Sequence, residues 1–478
     1  MKIFPITWLA LFLFALPASS QILISGRQVV EVTSMAPVLG KADHSTIAVN
    51  DRGDAFVTWS SSIYPQGHPD AVMRRVEGAY LRRVNLHHWV LYPTVTLGEA
   101  DPTLLPGGVA LYANGDNCRK PDVVAVGRNF VVAWQRLENG NSPNGRLECA
   151  QILVGDDGKA ELGLAHQAGI GYLLDAAIDP RTAGTMVDLA HRKGSGNDTV
   201  IAAYCSRTDA QATHSGTAYD FEIRAIAFKF NSLNQQPNVK HVQVLAADVA
   251  FDDFFPGDPV GGRVLPDIVF DKFGNLVLAY EDYRLAVRTG GTDGEGKICI
   301  KRFEVSANGT FPVINEQEIH SATPNWALRR PNMIRTGDNT AISLTFGERL
   351  VPSEETDVYH YLVDFQDSNS DAILTDLGAV MTVGIEEDLP VPMQLRDHSS
   401  IVICADPRNG SRRLSTQTRG ESDWVELSEF RPYSPWRPGL DVMADDPWRP
   451  GKAIVGLTCE GVPIGNTYSR IYFQMITL

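Results

Sequence analysis

This sequence lacks several features that would assign it to common classes of protein. Its 478 residues include only six cysteines, too few for a disulfide framework, and no CxxC or HExxH spacing that would indicate zinc. Beyond the N-terminus no apolar run approaches the roughly 20 residues that span a bilayer. Basic residues number 42 against 57 acidic ones, and the net charge of −15 argues against nucleic acid as a partner.

The first 20 residues have the pattern of a secretory signal peptide. Lys2 precedes an apolar core at Phe4–Leu16, and small residues follow at Ala18–Ser20. The apolar core is only about 13 residues long, which is short for a membrane anchor. We expect residues 1–20 to be removed, and residues 21–478 to form one exported domain that is secreted, periplasmic or at the cell surface, with no transmembrane segment.

The six cysteines suggest one disulfide at most. Cys118 and Cys149 flank one predicted hairpin, and an exported chain permits disulfides, so we propose that these two are paired. Cys205, Cys404 and Cys459 each lie at or near the end of an apolar strand. A small buried thiol is the expected state at such positions.

The stretch Pro266–Arg284 predicts a β-hairpin. Val269 and Phe270 end one apolar run, and Leu276–Tyr280 forms a second run that is too short for a helix. Between them lies Asp271–Asn275, a turn sequence whose glycine suits a positive φ. Weaker copies of this hairpin recur along the whole chain.

The copies are aligned on the last aromatic or equivalent residue of the second strand, which recurs every 55 to 75 residues or so. These positions are Trp59, Trp134, Tyr204, Tyr280, Phe346, Cys404 and Thr458. Further strand candidates follow the hairpins and give four strands per unit. Repetition of this kind indicates a radial or stacked repeat protein rather than independent domains.

The fold class that we predict is all-β: a seven-bladed β-propeller with four-stranded antiparallel blades. The seventh unit stops after its third strand, whereas Gln28 to Thr33 forms a strand that has no partner in the first unit. We expect this N-terminal strand to complete the last blade, because closing the ring removes exposed strand edges. A six-bladed ring and an open solenoid are the alternatives.

Arginine recurs just after the second strand of most units. The positions are Arg136, Arg207, Arg284, Arg349 and Arg408. Their contexts, WQR, YCSR, YEDYR, FGER and CADPR, resemble the strand-end pattern W-x-D-x-R in repeats of the sialidase-like (BNR-type) β-propeller superfamily. The resemblance implies a propeller fold and an arginine cluster that binds a carboxylate. The family's catalytic motifs and Asp-boxes are not found in this sequence.

The repeated arginines allow two interpretations. A planar guanidinium can bind an anionic sugar or a phosphate through two hydrogen bonds, and several converging copies would form an anion pocket. Alternatively, each arginine pairs with a carboxylate of its own or the next blade and holds the blades together. Regular repetition favours the second interpretation, because functional sites are usually asymmetric.

Acidic residues at the same strand ends are the candidates for glycoside cleavage. Glu281, Asp282 and Glu348 are the main ones, and hydrolysis needs two carboxyl groups roughly 5 to 9 Å apart. His44 and Tyr283 could together remove a proton beside a uronate carboxylate, as a polysaccharide lyase requires. The alternative in each case is a solvated, arginine-paired or hydrogen-bonded structural residue.

Three further sets of residues carry weaker signals. Asp252, Asp253 and Asp258 could hold a structural calcium ion, but their order does not match an EF-hand loop, and no other cofactor is indicated. Triplets for N-glycosylation begin at Asn197, Asn308 and Asn409. Twin PWRPG segments contain Trp436 and Trp448, which are expected to pack loops at opposite ends of the strands.

Long irregular segments between the second and third strands would emerge on one face of a propeller, where function usually lies. The prediction is therefore a secreted binding or scaffold protein that recognises an extracellular glycan or protein through this loop-bearing face. The alternative is a carbohydrate-active enzyme, either a sialidase-like hydrolase or a polysaccharide lyase. The sequence does not distinguish the two, and it gives no oligomeric state.

Overall fold

A computed structural model describes the larger part of the chain. The described residues are 22–25, 28–32, 42–63, 73–92, 95–98, 117–137, 145–158, 160–162, 171–178, 187–192, 198–208, 218–231, 236–252, 266–284, 295–321, 326–336, 340–350, 356–385, 388–394, 400–406, 413–418, 425–426, 430, 432, 435–443, 445–462 and 469–477. Within these ranges no helix is long and apolar enough to cross a membrane.

The regular structure consists of β-strands. The strands of the first half are β1 (Ile22–Ser25), β2 (Val30–Glu31), β3 (Ala42–Val49), β4 (Ala55–Ile63), β5 (Met73–Asn85), β6 (His88–Leu91), β7 (Val95–Gly98), β8 (Asn117–Val126), β9 (Asn129–Leu137), β10 (Gly145–Val154), β11 (Ala160–Leu162), β12 (Tyr172–Ile178), β13 (Val187–His191), β14 (Val200–Arg207), β15 (Ala218–Lys229) and β16 (Asn238–Asp252). Those of the second half are β17 (Asp267–Phe270), β18 (Leu276–Arg284), β19 (Glu295–Phe303), β20 (Val313–His320), β21 (Trp326–Arg335), β22 (Ile342–Leu350), β23 (Thr356–Phe365), β24 (Ala372–Ile385), β25 (Asp388–Gln394), β26 (Ser400–Asp406), β27 (Arg413–Thr418), β28 (Val425–Glu426), β29 (Pro435–Met443), β30 (Ile454–Gly461) and β31 (Arg470–Thr477).

Within the described residues these strands form antiparallel meanders, of which the last has three consecutive strands and the others have at least four. We call the first strand of each meander its leading strand. The leading strands are β3, β8, β13, β17, β21, β25 and β29. Hydrogen bonding joins the meanders into sheets of 11, 12, 4 and 4 strands. The larger sheets arise because neighbouring meanders touch through single parallel residue pairs such as Arg74 with Asn117 and Gly296 with Ala327.

The hairpin predicted at Pro266–Arg284 is confirmed. Strand β17 pairs with β18 from Asp267 opposite Ala279 to Phe270 opposite Leu276. Gly274 in the turn has a φ of 86°, a conformation that costs glycine little because it has no Cβ. The Asp271 carboxylate accepts hydrogen bonds from two backbone N–H groups of the same turn, which fixes the chain reversal.

Each leading strand lies beside the leading strand of the next meander, and β29 lies beside β3. The apolar core sits between consecutive meanders rather than inside one of them. One cluster packs Ile47 and Trp59 of the β3 meander against Ile454 and Phe473 of the β29 meander. A second cluster joins the β13 and β17 meanders in the same way. Burial of apolar surface therefore holds neighbouring meanders together.

The N-terminal strand β2 is the fourth strand of the sheet that contains β29, β30 and β31. Val30 pairs with Phe473 and Glu31 with Tyr472. The backbone N–H of Val32 also donates to the Ile471 carbonyl over 3.0 Å. Residues from the two ends of the sequence thus share one sheet.

The predicted disulfide between Cys118 and Cys149 is wrong. Cys149 carries a buried free thiol. Cys118 lies in β8 and Cys149 in β10, and β9 runs between these strands. Two strand spacings amount to nearly 10 Å, whereas the Cα atoms of a disulfide lie within about 7 Å of each other. The two residues are also out of register, because Cys118 faces Arg136 and Cys149 faces Ala133.

Candidate functional site

The same irregularity recurs near the start of the leading strands. In five of them, a step of three residues along the leading strand lies opposite a step of two residues along the paired strand. The leading strand therefore contains one extra residue, which is a β-bulge. The bulges lie at Asp43/Thr46, Arg119/Asp122, Arg329/Asn332, Asp388/Val391 and Trp436/Gly439. In four of the five the bulge contains a proline, which cannot donate a ladder hydrogen bond and is tolerated at an extra position.

Aspartates on three consecutive leading strands, Asp122 of β8, Asp188 of β13 and Asp267 of β17, form a cluster that we call the leading-strand acids. Each accepts a hydrogen bond from the backbone of the next leading strand. The bonds are Leu189 N–H to Asp122 (2.8 Å), Ile268 N–H to Asp188 (2.5 Å) and Met333 N–H to Asp267 (3.0 Å). All three side chains are half-buried. Each acid therefore connects two neighbouring leading strands, while part of its side chain remains exposed.

The leading-strand acids hold protons unusually tightly. Burial raises the pKa of Asp122 to about 6 and that of Asp267 to about 8. Burial also raises the pKa of Asp188 well above its ordinary value, and the neighbouring charges of Asp267 and Asp122 add to the effect. Asp122 and Asp188 are hydrogen-bonded to each other through their side chains. Two carboxyl groups in such contact share a proton, since both cannot ionise at low cost.

His44 lies at the bulge of β3 and is flanked by two buried carboxyl groups. Its Nδ1 is 3.0 Å from Asp43 Oδ1, and its backbone N–H donates to Glu460 Oε1 of β30 over 2.6 Å. His44 has a φ of 54°, and it is the one non-glycine residue in the described ranges with a positive φ. Such strain in a β-strand costs energy and is concentrated at functional sites. We call His44, Asp43 and Glu460 the His44 cluster.

The His44 cluster and the leading-strand acids lie at the same end of the leading strands. Thr46 is two residues after His44 in β3, and it faces Asp122. Protonated carboxyl groups donate hydrogen bonds, whereas ionised ones only accept them. The combined site therefore offers both donors and acceptors, together with an oriented imidazole, to a polar ligand.

The predicted site residues are dispersed. Arg136 is buried, and its Nε donates to Glu148 Oε1 of the same meander over 2.8 Å. Glu281 is fully buried, and Asp282 lies 3.9 Å from Lys297 Nζ. These contacts lie within single meanders and support a structural role. Among the predicted residues, His44 is the one that the structure places beside other candidate groups.

The remaining predicted residues give less information. Glu348 is buried and accepts a hydrogen bond from the Ser321 hydroxyl. The backbones of Arg207, Tyr283, Arg284 and Arg349 lie in the ends of second strands, but their side chains are outside the described residues. Arg408, Asn197 and Asn409 are also outside them, as are Asp253 and Asp258.

The sequence analysis missed the leading-strand acids. Their signal was present in the repeated segments KPDVV, MVDLA and LPDIV, which place an aspartate near the start of the first strand in three successive units. The acids predicted for glycoside cleavage lie instead at the ends of second strands. In the described ranges no group of three or more His, Cys, Asp or Glu side chains is arranged to hold a metal ion.

No family model matches the sequence, and no curated protein matches it. Solved structures that resemble the fold include an α-L-arabinanase from Penicillium chrysogenum in complex with arabinobiose, with a TM-score of 0.42, 13% identity, and coverage of 79% of this chain and 96% of that one. An α-L-arabinofuranosidase from Fusarium graminearum gives a TM-score of 0.41 at 12% identity and covers 85% and 99%. The six-bladed β-propeller lectin of Aleuria aurantia gives 0.36 at 12% identity and covers 80% and 94%.

Proposed function

We propose that the chain is an exported seven-bladed β-propeller that binds an extracellular glycan at the start of its leading strands. The seven leading strands support the ring, because each lies beside the next and β29 lies beside β3. The pairing of β2 with β31 supports closure by the N-terminal segment. Export is supported by the signal-like pattern of residues 1–20.

The observation that carries the binding function is the contact among carboxyl groups in the leading-strand acids. Sugar hydroxyl groups both donate and accept hydrogen bonds, so they pair well with a mixture of protonated and ionised carboxyl groups. The Asp188 carboxyl group has Asp122 and Asp267 as neighbours, which makes it the centre of the cluster. The bulges and the strained His44 backbone hold these groups in a fixed orientation before a ligand arrives.

A second function, glycoside cleavage, is favoured by the raised pKa of Asp267. A carboxyl group that is still protonated near neutral pH can act as the general acid for a leaving oxygen. Asp122 and Asp188 are in direct contact, which is too close to flank a glycosidic bond, since that requires about 5 to 9 Å. Asp267 and Asp122, whose strands are separated by β13, are therefore the pair that would perform the reaction.

A glycan array probed with the purified protein tests both functions when it is scored for binding and for release of new reducing ends. Binding without release supports the binding protein, and release that Asp267→Asn abolishes supports the hydrolase. The absence of both signals across neutral and acidic glycans would contradict a carbohydrate function. It would leave a protein ligand as the alternative for this face.

A further inference from the structure

The turn between β29 and β30 lies at the other end of the strands from the His44 cluster. The described turn residues include Asp446 and Arg449, whereas Glu460 lies near the end of β30. Six strand residues separate Ile454 from Glu460, which corresponds to roughly 20 Å. A ligand held by the His44 cluster would therefore not reach this turn without extending along the whole strand.

This turn is joined to the β3 meander by a fully buried ion pair. Arg83 Nη1 and Nη2 of β5 donate to the two carboxylate oxygens of Asp446 over 2.6 and 2.9 Å, and both side chains have zero exposure. Arg83 Nη2 also donates to the Leu86 carbonyl, and Nε to the Asn85 carbonyl. One guanidinium therefore fixes two loops from different meanders.

Trp448 is held on top of this guanidinium. The Arg83 Cζ atom lies 4.7 Å from the centre of the indole ring. The backbone N–H of Trp448 donates to Asp446 Oδ1 over 2.9 Å, and three backbone hydrogen bonds among Asp446, Arg449 and Lys452 close the turn. The residue is nevertheless 45% exposed. The indole is thus held against Arg83 while nearly half of the residue is exposed to solvent.

A loop with polar groups is held by the same guanidinium as the indole. This loop, Asn85–His88, exposes His87 and has a half-buried His88, and its Leu86 is 38% exposed. An immobilised aromatic plane with hydrogen-bonding side chains on a neighbouring loop matches a sugar ring, which has an apolar C–H face and hydroxyl groups around it.

We propose that Trp448 is the stacking platform of a second binding site, which takes a neutral sugar ring. The ring orientation is fixed in advance, so little conformational entropy is lost when a sugar binds. A protein partner fits less well, because a stable protein interface needs about 800 Å² on each side. The exposed apolar groups here are few: Trp448, Leu86 and Val84, with Pro447 and Pro450 beside the indole. The site goes beyond the proposed function because it lies at the opposite end of the strands.

Phe273 provides a matched control from the same end of the molecule. It also follows a turn aspartate by two residues, and the buried Arg302 that pairs with Asp271 lies 5.5 Å from its ring centre. Phe273 is 37% exposed, close to the value for Trp448. Lys272 Nζ lies 5.4 Å from the same ring, so two cations border Phe273 and it does not offer an open plane.

The test uses the full-length mature protein and an array of neutral gluco-, manno- and galacto-oligosaccharides, followed by titration with each retained glycan. We expect Trp448→Ala to weaken binding of at least one neutral glycan by about tenfold or more. Trp448→Phe, which keeps a ring over Arg83, should weaken it less. Phe273→Ala should leave the affinity unchanged, and melting curves show whether each variant is folded.

Two results would overturn the second site. One is that wild type retains no neutral glycan, and the other is that Trp448→Ala binds every retained glycan as tightly as wild type does. If Trp448→Ala does not fold, the same judgement is made on Trp448→Phe. If every retained glycan loses affinity in Asp188→Asn and none does in the Trp448 variants, the site at the leading-strand acids is supported and this one is overturned.

Discussion

Aspartates whose charge is masked occur at both ends of the leading strands, by protonation at one end and by pairing with an arginine at the other. At the strand starts, burial and the neighbouring acids raise the pKa of Asp188. After β29, burial tends to raise the pKa of Asp446, but the hydrogen bonds from Arg83 and from the Trp448 backbone outweigh it and lower the pKa to about 2. One end therefore keeps protons that can be exchanged with a ligand, whereas the other keeps a permanent ion pair that joins two meanders.

The largest effect is expected when the cation of the Arg83–Asp446 ion pair is removed. Arg83→Met leaves the buried Asp446 carboxylate with the Arg449 Nε atom at 3.3 Å and the Trp448 N–H as its remaining partners, and we expect the free energy of unfolding to fall by about 3 to 5 kcal/mol. Urea denaturation measures this change. The control is Arg128→Ala, which removes an exposed pair with Asp156 and should cost about 0.5 kcal/mol. Equal losses in the two variants would show that the buried pair does not hold the meanders together.

The next largest effect concerns an arginine that was predicted to bind a ligand. Arg136→Gln should lower the free energy of unfolding by about 3 kcal/mol, because Glu148 loses a charged partner in a buried position. The loss is smaller than for Arg83, because the Arg83 guanidinium donates two hydrogen bonds to Asp446 and two more to backbone carbonyls. Glycan affinity should not change. A large fall in affinity with unchanged stability would restore Arg136 as a ligand-binding residue.

The dependence of stability on pH separates the two ends directly. A group whose pKa is raised in the folded state stabilises the fold below its unfolded pKa, and this contribution is lost as the pH rises through the folded value. Stability from the leading-strand acids should thus decline between about pH 4 and pH 8, by on the order of 2 kcal/mol. The contribution of Asp446 has the opposite sign and is lost only as the pH falls towards 2.

Urea denaturation of wild type and Asp188→Asn from pH 4 to pH 9 measures this difference. The variant replaces the carboxyl group with an amide that does not titrate, and it removes the repulsion that Asp188 has with Asp122 and with Asp267. Its unfolding free energy should therefore depend less on pH than that of wild type. Parallel curves for the two proteins would mean that the leading-strand acids are not coupled in the folded state.

The smallest expected effect concerns the strain of the backbone at His44. Both His44→Ala and His44→Gly remove the imidazole, but only glycine accepts a φ of 54° without strain. We expect the glycine variant to be more stable than the alanine variant by about 1 kcal/mol, measured by chemical denaturation at one pH. Alanine equal to or better than glycine would show that this backbone is not strained.

Local features of the fold were predictable from the sequence, because short-range chemistry determines them. The hairpin at Pro266–Arg284 follows from turn residues and apolar runs, and it is present in the expected register. The alignment of the last unit on Thr458 is wrong by one residue, since the register places Cys459 opposite the bulge. A bulge adds one residue to one strand, and the hydrophobic pattern of the other strand does not reveal it.

The candidate site was much less predictable, because it depends on contacts between strands that are far apart in sequence. Asp188 and Asp267 meet only because their strands are neighbours in space. The Cys118 and Cys149 pairing failed for the same reason, because flanking a hairpin in sequence does not bring two strands together across the strand between them. His44 was selected for its chemistry alone, and its contact with Glu460, more than 400 residues away, gave it a structural context.

The central claim is that the leading-strand acids bind the ligand as a coupled group. The most direct test is to titrate a glycan that the array retains into wild type, Asp188→Asn and Asp441→Asn. Asp441 is the control, because it also accepts a backbone hydrogen bond, from Val49 over 2.7 Å. The account predicts that Asp188→Asn weakens binding by tenfold or more, while Asp441→Asn binds as wild type does. Equal affinity in all three proteins would contradict it.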